Sequence, residues 1–316
     1  MDAGTHSDTR QARTTTLRQA LERYRDTVAA RKLHPYQENQ RISRWMKHEL
    51  STKTLADLRG KDFAEYRDAR RDNGRAENTI RLELQLISHL FELARKEWGF
   101  EGLQNPLKNI RKPSGARSRD RRLRQGEFDL LHALLSGSEN RWAAPAFELA
   151  IETSLRKGTL FALRWEWIDL PSRFVRFPTD ARGAENKGVP AVLPLSARAV
   201  AVLRHLAALA EGMSRMNAAS LSVGPIDVAP SKLRGLVFRT TANAVGCVWK
   251  RALKHAKARG KEVGDLRWHD LRHEATSRLF EKGLHPLEVA SMTGHRSMQM
   301  LKRYTHLNPA DILTKL

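Results

Sequence analysis

The 316 residues contain one cysteine, Cys247. It leaves no partner for an internal disulfide and excludes every cysteine-rich zinc module. Long apolar runs are missing as well. The most apolar helix-like stretch, 199-AVAVLRHLAALA-210, is interrupted by Arg204 and His205 and falls far short of a membrane span. Residues 1–16 are polar, so no secretory signal is expected. The sequence has no internal repeat, no low-complexity tract and no acidic cluster of the kind that gathers catalytic metal ions. Acidic residues are in deficit, with 35 Asp and Glu facing 56 Lys and Arg, a formal charge of +21. That excess argues against an enzyme of small neutral metabolites and for a polyanionic partner. It is spread along the chain, since residues 1–122 hold 27 basic and 17 acidic side chains and residues 123–316 hold 29 and 18. Both halves are therefore expected to touch the same nucleic acid. Hydrophobic residues, at 41%, suffice for a core in each of two domains. The expectation is a soluble, cytoplasmic, two-domain protein that meets DNA or RNA and no membrane.

Local patterns predict a mainly α fold with a small antiparallel β-sheet. Residues 1–15 read as a flexible polar arm. Thr16 and Gln19 then have the spacing of a capping box, in which side chains satisfy the free N–H groups of a helix start. Leu17, Ala20, Leu21, Tyr24 and Val28 follow at helical spacing. A second helix holds Ile42, Trp45 and Met46, and a third runs through Phe63 and Tyr66 to Gly74. A fourth carries the stripe Ile80, Leu84, Ile87, Phe91, Ala94 and Trp98 and ends at Gly99. Together, residues 16–110 make a small helical bundle. Residues 111–122, within 111-RKPSGARSRDRRLR-124, read as a basic linker whose arginines track DNA phosphates. In the second domain, 123–316, helices are expected near 125–135 and 141–153. The β-prone runs 165-WEWID-169, 173-RFVRF-177 and 190-PAVLPL-195 come next. Residues 211–235 read as a surface loop, and helices resume at 196–210, 241–258, 268–282, 286–293 and about 297–304.

The chemistry-bearing residues concentrate near the end. In 268-WHDLRHEATSRLF-280, His269 and Arg272 stand three apart on one helical face. His295 and Tyr304 follow in 294-GHRSMQMLKRYTHL-307, Arg156 opens a helix in 153-TSLRKGTLFALRWEWIDL-170, and Lys187 lies at a hairpin tip in 185-ENKGVPAVLPLS-196. Singly these are weak signals. His269 and His273, one turn apart, could ligate zinc, but no Glu sits in the zincin position and no cysteine ligand is near.

Jointly, the order Arg156, Lys187, His269-x-x-Arg272, His295, Tyr304 resembles the tyrosine recombinase (phage integrase) family. The motifs HDLRHEA, GHRSMQMLKRYTHL and TSLRKGTLFALRWEWIDL are highly specific to it, and the resemblance spans nearly the whole chain. Within the family, NTIRLELQLISHLFELARKEWG, RDRRL and GHRSMQMLKRYTHL are most similar to shufflon-type DNA invertases and their integrase relatives. The resemblance implies a SAM-like helical core-binding domain, a basic linker and a catalytic domain. It also implies site-specific cutting and rejoining of double-stranded DNA through a 3′-phosphotyrosyl link to Tyr304, for integration, excision or inversion. Lys187 would protonate the departing 5′-oxygen, and Arg182 is the nearest other cation in that segment.

Elementary chemistry agrees with this reading. Conserving the bond energy of DNA requires a nucleophile that stays attached, so a side-chain oxygen replaces water. A tyrosine hydroxyl, with a pKa of about 10, needs a neighbour to take its proton. Arg156 and Arg272 can clamp the phosphate oxygens, His295 can add a hydrogen bond, and His269 can serve as acid or base. Fixed cations then do what magnesium does elsewhere, so no metal and no organic cofactor are expected. Thr159 stands where the family often carries an acidic residue behind the first arginine. The implied partners are DNA, a homotetramer on DNA and accessory DNA-bending proteins. Residues 308–316, a short apolar tail, are expected to dock on a neighbouring protomer. Two alternatives remain: a type IB topoisomerase-like nicking-closing enzyme, and an inactive DNA-binding accessory protein.

Overall fold

The computed structural model describes residues 10–115, 119–181, 188–210, 233–260, 263–302 and 304. The chain divides into two compact units, Met1–Ser118 and Arg119–Leu316.

The first unit is helical. A short helix α1 (Arg10–Thr14) buries Ala12, so residues 10–14 of the stretch expected to be a flexible polar arm are helical. Thr16 caps α2 (Leu17–Thr27) with the capping box its spacing predicts: the Gln19 N–H donates to the Thr16 hydroxyl, and the Thr16 N–H donates to the Gln19 side chain. Next come α3 (Tyr36–Met46), α4 (Gly60–Asp72) and α5 (Glu77–Glu97). Their apolar stripes meet around Tyr24, Trp45, Phe63 and Phe91, all essentially water-free. One carboxylate lies inside this core. Glu83 is fully buried and accepts from Arg44, Arg70 and the Tyr66 hydroxyl at 2.7–3.0 Å. Burial alone would push its pKa up, but these partners outweigh burial and hold it below the usual range.

In the second unit, α6 (Glu127–Ser136) leads into α7 (Ala143–Thr153), whose sequence AAPAFELAIET is apolar on nearly every face. A helix of that pattern belongs at the centre of a core. It is buried there against α6, α9 (Ala197–Ala210), α10 (Ala242–Ala258) and α11 (Asp270–Glu281). A short α8 (Lys157–Phe161) precedes an antiparallel sheet of order β1-β2-β3, made of Ile168–Asp169, Phe174–Arg176 and Val192–Pro194. Val175 pairs with both Ile168 and Leu193. The run 165-WEWID-169 is strand only in its last two residues, because Trp165–Trp167 forms a 3₁₀ turn that buries Trp165. The chain closes with α12 (Pro286–Thr293) and α13 (Met298–Leu301), which is shorter than the expected 297–304. No helix among the described residues is long and apolar enough to cross a membrane. Most of the expected loop at 211–235 and the tail at 308–316 lie outside the described residues.

Candidate active site

Three turns of chain converge on one buried guanidinium. At the end of α7, Ser154 adopts a left-handed conformation (φ 56°), which redirects the chain and leaves its carbonyl facing α11. Arg272, 5% exposed on α11, donates to Ser154 O at 2.5 Å and to Thr293 O, at the end of α12, at 2.6 Å. Its Nη2 also lies 3.3 Å from His295 Nε2. These partners are neutral. Burial pushes the Arg272 pKa down to about 10, and the nearby positive charge of Arg156 adds to the effect. Arg272 still carries full charge at neutral pH.

Arg156 sits at the N-cap of α8, half-buried, and donates to the Gly188 carbonyl at 2.9 Å. Burial lowers its pKa too. Gly188 (φ 87°) packs on Gly294 (φ 69°), the left-handed cap of α12, so closely that a Cβ at Gly188 would stand 2.5 Å from the Gly294 carbonyl oxygen. Only glycine meets both demands. Lys187 and Arg182 lie outside the described residues, but Gly188, the neighbour of Lys187, is thereby joined to both Arg156 and the His295 loop. The Thr293 hydroxyl donates to Val289 O and lies 2.5 Å from His295 Nδ1. That pattern assigns the Nδ1–H tautomer, with Nε2 left as the acceptor facing Arg272.

Tyr304 completes the group. Its ring stacks against Phe280 (6.3 Å, 13°) and lies 6.5 Å from the His295 ring, and its hydroxyl hydrogen-bonds to His273 Nδ1. The structure thus brings Arg156, Arg272, His295 and Tyr304 together. His269 is exposed at the N-cap of α11, its ring 5.4 Å from His273 and edge-on to it. His273, considered from sequence only as half of a zinc pair, is the residue that reading missed; its i+4 spacing from His269 was the available signal. Among the described residues no group of three or more His, Cys, Asp and Glu is placed to hold a metal.

The rear of α11 carries a second surprise. Arg119 donates to Asp270 at 2.8 and 3.1 Å and to Asp265 at 3.1 Å. Arg122 pairs with Glu274 at 3.1 Å and also with Glu281, while Arg121 pairs with Glu127 and Asp265. Asp270 and Glu274 are nearly water-free. Three arginines expected to track phosphates are therefore already engaged by carboxylates, and two of them, Arg119 and Arg122, fasten the start of the second unit to the helix bearing Arg272. Sequence spacing hid this, because the partners lie about 150 residues apart.

Comparison with known proteins shows the family of the chain and its fold. The model of the phage integrase family matches residues 121–311. The chain is 36% identical to a shufflon-specific DNA recombinase of Escherichia coli, covering 95% of this chain and 71% of that one. Among solved structures, the Tn1549 transposon integrase in complex with transposon right-end DNA is similar with a TM-score of 0.71 at 15% identity, over 95% of this chain and 98% of that chain. A lambda integrase tetramer bound to a Holliday junction is similar with a TM-score of 0.66 at 21% identity, over 92% and 77%.

Proposed function

This chain belongs to the phage integrase family and is a DNA strand-cutting and rejoining enzyme; we propose that Tyr304 is its nucleophile and that Arg156 and Arg272 hold the scissile phosphate. One observation carries the assignment of roles. Two guanidinium groups are held out of water near each other, and burial lowers the pKa of both. The charge of Arg156 lowers that of Arg272 further, and the carbonyls that hold Arg272 are neutral. Like charges kept together out of water cost free energy unless an anion joins them, and a phosphodiester between the two forks is such an anion.

In the cleavage step the Tyr304 oxygen bonds to phosphorus and the bond to the 5′-oxygen breaks, leaving a 3′-phosphotyrosyl link. The 5′-hydroxyl of a partner strand then reverses the step and seals the recombinant strand. Lys187 is the proposed donor to the departing 5′-oxygen, His269 assists as acid or base at the exposed rim, and His295 supports the phosphate clamp beside Arg272. Fixed cations neutralise the charge that develops on the phosphate, so the proposed reaction requires no metal.

We also propose residues 16–110 as the core-binding domain and a homotetramer as the working assembly, with DNA-bending accessory proteins where sites must be brought together. Similarity to a shufflon recombinase favours inversion over integration and excision. The test is a plasmid carrying two copies of the target site in inverted orientation. Wild-type protein should invert the segment in the presence of EDTA, and Tyr304→Phe should bind yet form no covalent adduct. Relaxed plasmid without inversion would favour a nicking-closing enzyme, and binding without any adduct from wild type would favour an accessory protein.

A further inference from the structure

Beside its ion-paired rear, helix α11 presents two chemically distinct faces. Arg272 and Thr276 turn toward the end of α7, where the Thr276 hydroxyl meets that of Ser154 at 3.1 Å. His269, His273 and Phe280 share the other face, at the four- and seven-residue intervals that stack side chains along a helix. Tyr304 lies on that second face. Phe280 stacks parallel to its ring, and His273, 9% exposed, holds its hydroxyl through Nδ1 with the two rings 5.8 Å apart and tilted by 31°. In the neutral Nε2–H tautomer of His273, Nδ1 is the acceptor and the Tyr304 hydroxyl donates its one proton to it, the arrangement from which that proton can be transferred. His269 is exposed at the helix start, with its ring edge-on to that of His273.

We propose that His273 is the base that takes the proton of the nucleophile, a role distinct from that of His269 at the rim. This rests on the reading of Tyr304 as nucleophile. As the Tyr304 oxygen bonds to phosphorus, its proton passes to His273 Nδ1, and the electron pair of the breaking P–O bond leaves with the 5′-oxygen, which takes its proton from a separate donor. In the rejoining step the 5′-hydroxyl loses its proton to that donor, and His273 returns its own to the departing Tyr304 oxygen. In-line displacement puts the base and the acid on opposite sides of the phosphorus, so the donor to the 5′-oxygen is a group other than His273.

The test uses the full chain and a nicked half-site duplex, cut from DNA that the Tyr304→Phe protein retains from a randomised pool. The duplex is prepared with either oxygen or sulfur at the bridging 5′ position of the cleaved phosphate. Sulfur departs without protonation. His273→Ala should slow single-turnover cleavage of both duplexes by about 100- to 1,000-fold, whereas a residue serving the leaving group would be rescued by sulfur, overturning the proposal. His273→Asn can accept the hydrogen bond but cannot take the proton, so it should remain slow. Wild-type rates in either variant would reduce His273 to packing or positioning and also overturn it. Retained binding of the duplex controls for folding; if the Ala variant fails that control, the Asn variant decides. In the ¹⁵N spectrum of histidine-labelled protein, Tyr304→Phe should shift the His273 Nδ1 resonance, and an unchanged resonance would remove the contact itself. Cleavage by Tyr304→Phe would instead fell the parent reading and is distinguishable from all of these.

Discussion

At the scale of single residues, Arg272 serves structure and chemistry with one planar fork. Two of its donors hold the ends of α7 and α12 together through backbone carbonyls, and the same group supplies charge to the site. Arg272→Lys keeps the charge but not the fork. Cleavage should fall by about 10²–10³-fold, with DNA binding largely kept, as measured by single-turnover adduct formation. Arg272→Ala leaves the Ser154 and Thr293 carbonyls without their buried donor and should lower stability by about 2–4 kcal/mol in a denaturant titration. Gly294→Ala meets two penalties. A left-handed φ costs a residue with a Cβ about 1–2 kcal/mol, and the new methyl would collide with the Gly188 backbone. Adduct formation should drop along with thermal stability, and Gly188→Ala as a second change should deepen the loss, since each methyl points into the other backbone.

At the scale of elements, α11 is held from behind by the arginines that open the second unit. Glu274 is the centre of that attachment, accepting from Arg122, Arg278 and the Leu123 N–H. Burial would raise its pKa, but the arginine partners outweigh burial and leave it below the ordinary value. A depressed carboxylate stabilises the fold above its unfolded pKa and loses that contribution as the folded group takes up a proton. The second unit should therefore weaken as the pH falls from about 5 to about 3, and Glu274→Gln should flatten that decline in denaturation curves recorded across the range. Replacing Arg119, Arg121 and Arg122 together with alanine should lower the melting temperature while leaving the salt dependence of DNA binding almost unchanged. A flattened salt slope would restore them to phosphate contact. Local order was legible in the sequence wherever it depends on near neighbours: the Thr16 box, the α5 stripe and the antiparallel pairing of the three β-prone runs. Features made by distant residues were not. The Arg119–Asp270 pair, the hydroxyl contact of His273 and the burial of Trp165 in a 3₁₀ turn all depend on partners that no local period encodes.

At the scale of the whole molecule, two apolar cores share no residue, one centred on Trp45 and Phe63 and the other on α7. Residues 1–118 and 119–316, expressed separately, should each unfold in a cooperative transition followed by circular dichroism. Each should also bind duplex DNA with an affinity that falls steeply with salt, because both carry a surplus of Lys and Arg. The seam between Ser118 and Arg119 has an evolutionary corollary. The arginines just past it are committed to the carboxylates of their own unit, so an exchange of genes at this point carries Arg156, Arg272, His295 and Tyr304 together. A lineage can then acquire a new N-terminal half, the proposed core-binding domain, in one crossover. Chimeras joined at that residue are accordingly the natural starting material for retargeting the enzyme.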